Sequence, residues 1–109
     1  RFRAGQDESD SDEHSLTGLR MSNNLATLYM LQGNVDDAMQ MYEQVVASLG
    51  QPQDKARQNF RSTLLYNLGR AYEDSNDVVR ASEAYRSLLE EHPEYVNGKG
   101  MSSLTYIPG

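Results

Sequence analysis

The chain has 109 residues, enough for one small domain or part of a larger one and too few for a multidomain enzyme. Sixteen acidic against ten basic residues leave a net charge of -6, which removes the basic footprint of a direct nucleic-acid binder and disfavours an anionic membrane surface. With no cysteine, disulfide scaffolds, thiolate metal sites and cysteine nucleophiles are excluded together.

The first residues, Arg1-Phe2-Arg3-Ala4, are neither a signal peptide nor an initiator methionine, so the chain reads as a segment cut from an intracellular protein. Residues 1–15 form an acidic segment. Its core, Gln6 to Ser15, carries five carboxylates and no aliphatic side chain, which cannot repay the entropy of ordering a backbone, so disorder is expected. Ser9 and Ser11 stand next to acidic residues and suit an acidophilic kinase; a plain solubilising linker is the alternative.

From Leu16 onward apolar residues recur at helical spacing, and nothing alternates as a half-buried strand would. Helices are predicted near 16–32, 35–49, 52–75 and 77–91. Gly33 suits a left-handed C-cap and Asn34 a side-chain N-cap, while Gly50 ends the second run. Pro52 is placed in the first turn of the long third run, Asn76-Asp77 cap the fourth, and Pro93 stops it.

The second half repeats the first at a constant offset of 43 residues, with Asn24 on Asn67, Leu25 on Leu68, Ala26 on Gly69, Tyr29 on Tyr72, Ala38 on Ala81 and Tyr42 on Tyr85. Small residues at 26, 38, 69 and 81 let paired helices approach closely, and the tyrosines fill the wedge between repeats. The spacing Leu65-x2-Leu68-Gly69-x2-Tyr72, then Ala81-x3-Tyr85, then Pro93 resembles the tetratricopeptide (TPR) repeat. The resemblance implies an all-α solenoid of antiparallel hairpins: repeat 1 over 16–50, repeat 2 over 51–95, and a tail 96–109 that is a partial third helix or a frayed end. The standard period is about 34 residues, so the excess lengthens the first helix of repeat 2 at its N-terminus. Leu25, Ala26, Tyr29, Ala38, Tyr42, Leu68, Gly69, Tyr72, Ala81, Tyr85 and Pro93 are the packing positions.

The stretch from Ser22 to Val96 is also similar to the TPR scaffold subunits of the polymerase-associated factor complex of transcription elongation. The likeness lies in Tyr66-Asn67-Leu68-Gly69-Arg70-Ala71-Tyr72-Glu73 and in Glu91-His92-Pro93-Glu94-Tyr95-Val96, and it implies a nuclear scaffold. Asn23-Asn24-Leu25-Ala26 instead resembles kinesin light chains, which would imply a cargo- or peptide-binding module. Because such arrays generally need about three or more repeats, the segment is expected to stack on neighbouring repeats, a second copy or a partner's helix.

In TPR arrays the first helix of each hairpin lines a concave groove. On that resemblance Arg20, Asn24, Thr27, Thr63, Tyr66, Asn67 and Arg70 are the candidate partner-binding residues, facing an extended peptide or a helix. Arg20, Asn24 and Asn67 resemble half of a clamp for a C-terminal carboxylate, although Asn97 and Met101 stand where the other half needs bases. Met30, Met39 and Met41 offer a soft apolar surface, with core filling the role of Met39. Lys55, Arg57 and Arg61 form a basic stripe, read first as a solvated face and second as a docking site for an acidic segment.

Enzyme chemistry finds little material. His14 and His92 lack ligand-like spacing and are read as solvated histidines; no metal site or cofactor is expected. Asp36-Asp37, Glu73-Asp74 and Glu90-Glu91 point about 100° apart on a helix, so neither member of a pair converges with its neighbour on one substrate atom. Asp36-Asp37 in a first turn complements the helix dipole.

Overall fold

The computed structural model describes residues 15–94. The acidic segment with Ser9, Ser11 and His14, and the tail with Tyr95, Val96, Asn97 and Met101, lie outside the described residues. Four helices follow one another: α1 (Leu16–Leu31), α2 (Val35–Leu49), α3 (Lys55–Asp74) and α4 (Val78–Glu91). No strand occurs among the described residues, and none of these helices is long and apolar enough to cross a membrane.

Three of the four helices start where a side-chain oxygen meets an otherwise unbonded N–H of the first turn. Ser15 Oγ accepts from the Gly18 N–H at 3.1 Å, Asp54 from Arg57 at 3.3 Å and Asp77 from Arg80 at 3.1 Å. Asn34, expected to do the same, does not: its amide nitrogen donates to Gln32 Oε1 at 3.4 Å, and α2 relies on Asp36 and Asp37 in its first turn. The third helix begins at Lys55 and not at Pro52, because Asp54, in an extended conformation, supplies the cap two residues further on.

α1 and α3 end in the same way. Gly33 adopts φ +84°, its N–H donates to the Met30 carbonyl at 3.0 Å and that of Asn34 to Tyr29 at 2.8 Å. One repeat later Asn76 adopts φ +67°, with N–H bonds from Asn76 to Glu73 at 2.9 Å and from Asp77 to Tyr72 at 2.8 Å. Both are Schellman closures, and the second uses asparagine where the first uses glycine.

α1 pairs with α2 and α3 with α4; α2 packs on α3 to join the hairpins, and α1 touches α3. Ala26, Ala38 and Ala81 are buried at the crossings, with Tyr42, Val45, Leu64, Leu68 and Tyr72 between them. At Gly69 the opposing group is the ring of Tyr85: a Cβ there would lie 2.7 Å from Cζ. Tyr29, Met30, Met39, Met41 and Tyr85 are partly buried against this core. The joint is completed by the Tyr72 hydroxyl, which donates to Glu43 at 2.5 Å, and by Arg80, 4.0 Å from the same carboxylate.

The repeat is therefore visible in three dimensions, with two corrections. Leu25 is not a packing residue: Met21, Leu25 and Leu28 are 65%, 41% and 54% exposed, while their counterparts Leu64, Leu68 and Ala71 are 0%, 6% and 0% exposed. The difference is a neighbour. α3 packs against both α2 and α4, whereas among the described elements α1 packs against α2 and only touches α3. Pro93 is also exposed; it follows the His92 C-cap and ends α4 without filling the core.

Candidate functional site

The first helices of the two hairpins, α1 and α3, come together along a seam, and helical periodicity decides which side chains enter it. Leu19, Asn23 and Ala26 form the buried stripe of α1 at steps of four and three residues. Asn23 is consequently buried, and its Oδ1 accepts a hydrogen bond from Asn67 Nδ2 at 3.0 Å. This amide bridge divides the seam into two hollows.

The hollow on the C-terminal side of α1 has a volume of about 180 Å³ and is lined by Thr27, Met30, Leu31, Tyr42, Tyr66, Asn67 and Arg70. Its floor is set by Tyr42, whose hydroxyl is 2.8 Å from Thr27 Oγ1, while Thr27 Oγ1 also donates to the Asn23 carbonyl at 3.1 Å. Tyr66 stands tilted against Tyr85, with ring centroids 6.4 Å apart, and the Tyr85 hydroxyl donates to Glu73 at 2.7 Å. Arg70 is the cation at the rim. Its pKa is pushed up further, chiefly by the hydrogen bond with Tyr66 and against partial desolvation, so it carries its charge at any physiological pH. The result is an apolar cup with one fixed positive group and an amide edge.

The second hollow, about 250 Å³, lies between Arg20, Asn23, Asn59, Phe60 and Thr63. Here the Arg20 guanidinium sits over the Phe60 ring, 5.9 Å from its centroid. Of the seven candidate partner-binding residues, Thr27, Tyr66, Asn67 and Arg70 therefore share one hollow and Arg20 and Thr63 the other. Asn24 is exposed and lines neither. The half-clamp of Arg20, Asn24 and Asn67 is not assembled, since the three do not line a common cavity, and Asn97 and Met101 lie outside the described residues.

The basic stripe dissolves into separate contacts. Arg61 is no solvated residue: its guanidinium spans Glu91 with bonds of 2.8 and 3.1 Å and donates to the Gly50 carbonyl at 3.1 Å. It thereby ties the end of α2 to α3 and to the end of α4. Arg57 pairs with its own cap Asp54 at 3.4 Å, and Lys55 is exposed. His92, expected in solvent, is buried, with Nδ1 3.2 Å from Glu94 Oε2. The Glu94 carboxyl is held below its ordinary pKa, first by a backbone hydrogen bond and then by His92. With Lys55 these groups line a polar hollow of about 340 Å³ in which Arg61 is already paired with Glu91. Among the described residues, no three His, Asp or Glu side chains are grouped to hold a metal ion.

Sequence reasoning missed Asn23, although its place on the stripe with Leu19 and Ala26 marks it. It also missed Arg61, whose partner lies 30 positions away and carries no local signal.

Residues 19–49 and residues 63–95 each match a family model described as Tetratricopeptide repeat. No curated protein and no solved structure matches the chain.

Proposed function

Because the chain belongs to the tetratricopeptide-repeat family, whose repeats generally mediate protein–protein interaction, we propose that it is a non-enzymatic interaction module whose α1/α3 seam receives an extended segment of a partner polypeptide. The observation that carries this reading is the cup of Thr27, Met30, Leu31, Tyr42, Tyr66, Asn67 and Arg70. Its apolar wall suits an aliphatic or aromatic side chain, and Arg70 suits an adjacent carboxylate. Asn67 adds a side-chain carbonyl that accepts no hydrogen bond from any described residue and can take one from the peptide backbone.

Selection from a displayed peptide library, followed by titration of the winning peptide, tests this. The expected ligands carry an apolar residue beside an acidic one, and Arg70→Glu weakens them about tenfold or more with helicity unchanged. Asn67→Ala is a less clean probe, since it also strips the buried Asn23 of its donor. Selected ligands indifferent to Arg70→Glu would defeat the proposal. A finer placement, within a transcription-elongation scaffold and hence the nucleus, is supported by the Tyr66–Glu73 and Glu91–Val96 motifs. Co-purification with elongation factors is its test, and their absence from the purified complex counts against it.

A further inference from the structure

The repeat register states what belongs on the open face of α1. Met21, Leu25 and Leu28 occupy the positions of Leu64, Leu68 and Ala71, which are buried on α3, the helix against which α2 of the preceding hairpin packs. Shifting the covering helix by the same 43 residues replaces α2 by α4. We infer that the open face of α1 receives α4 of a second copy of this chain, stacked head to tail in the register that joins α2 to α3 within one copy.

Charge selects this occupant. At the internal joint Glu43 of α2 accepts from the Tyr72 hydroxyl and lies 4.0 Å from Arg80. In the shifted register Glu43 becomes Arg86, Arg80 becomes Asp37 and Tyr72 becomes Tyr29. Both charges invert together, so the attraction survives with its polarity exchanged: Arg86 of one copy meets Asp37 of the next. The tyrosine hydroxyl inverts with them, accepting from the Arg86 guanidinium where Tyr72 donates to Glu43. Had α4 kept an acid at 86, it would oppose Asp37. Arg86 and Asp37 are both exposed, and neither forms an ion pair with another described residue. Such a contact uses different patches on the two copies and does not close at two, so association grows with concentration into longer arrays. Its ion pair is open to solvent, so added salt weakens it.

Sedimentation velocity of the 109-residue chain from low micromolar to near-millimolar concentration tests the inference. The expected result is a weight-average sedimentation coefficient that climbs with concentration. Asp37→Arg alone or Arg86→Asp alone weakens association about tenfold, and the double exchange restores it. Leu25→Glu removes association while far-ultraviolet circular dichroism stays helical. Arg70→Glu leaves it unchanged, which separates this face from the peptide seam. A monomer at every concentration overturns the inference, as does association that Asp37→Arg leaves untouched or that the double exchange fails to rescue.

Discussion

Gly69→Ala puts the helix crossing of the second hairpin under a defined strain. On an open helix surface the change would stabilise by roughly 1 kcal/mol, because alanine restricts the unfolded chain and favours the helix. Here the new methyl falls 2.7 and 2.8 Å from Cζ and Cδ1 of Tyr85, inside the van der Waals distance of about 3.5 Å or more. The ring must move. Overpacking of this kind costs about 1–3 kcal/mol, and a moving ring also loosens its hydroxyl bond to the Glu73 carboxylate, of a type that contributes about 1.5–3 kcal/mol. A net destabilisation of about 1–3 kcal/mol follows, or a fall in Tm of at least about 4 °C for a domain of this size. In the first hairpin the counterpart position already holds Ala26, fully buried, where the Tyr42 hydroxyl bonds the adjacent Thr27. Thermal melts of Gly69→Ala in the native and Tyr85→Leu backgrounds supply the assay. The sign should reverse, with alanine stabilising by up to about 1 kcal/mol once the ring is gone. A rise in Tm in the native background, or the same sign in both, would refute the reasoning.

Other perturbations probe the caps, the tie and the tyrosines. At the two Schellman closures Gly33→Ala should destabilise by about 1 kcal/mol, since φ is +84°, whereas Asn76→Gly at φ +67° should be neutral or stabilising by a few tenths; urea titration of both checks this. Arg61→Lys cannot span both Glu91 oxygens and still reach Gly50, so a loss of about 1–2 kcal/mol is expected by the same titration, against under about 0.5 kcal/mol for the surface control Arg57→Lys. The pKa values of Tyr42, Tyr72 and Tyr85 are pushed above the ordinary 10.0, chiefly by burial, with Glu43 and Glu73 raising the last two further. The unfolded chain therefore loses these protons first: the contribution of the three hydroxyls to stability is flat below about pH 10 and is lost as the pH rises beyond it. Tm measured from pH 8 to 11.5 should show the fall, and the double variant Tyr72→Phe/Tyr85→Phe should make it shallower, with Tyr42 supplying the remainder.

What the sequence made legible is what short-range chemistry decides. Ala26, Ala38, Gly69 and Ala81 stand out as small residues at equal offsets in two otherwise amphipathic hairpins, and all four are buried. Gly33 announces a left-handed closure, and its counterpart Asn76 takes the same conformation. Where the reading departed from the structure, a distant neighbour decided the outcome. Leu25 and Leu68 are the same residue in the same local pattern, yet only Leu68 is buried, on a helix flanked by both α2 and α4. Asn23 and Asn24 differ by one position, about 100° on a helix, which moves the amide from solvent into the seam. Arg61 reads as a surface base until the fold brings Glu91 and the Gly50 carbonyl to it. The candidate site shares that limit in part: Thr27, Tyr66, Asn67 and Arg70 are placed in a groove by resemblance, and Met30 and Leu31 follow Thr27 on α1, but Tyr42 reaches the cup only because α2 packs against α1.

The α1/α3 seam as a peptide-receiving surface is tested most directly by amide and methyl chemical-shift mapping of the labelled chain against a peptide selected from a displayed library. The account predicts that the largest perturbations fall on Thr27, Met30, Leu31, Tyr66, Asn67 and Arg70, with the outer face of α4 silent. Perturbations confined to α4, or to the polar hollow around Arg61 and Glu91, would contradict it.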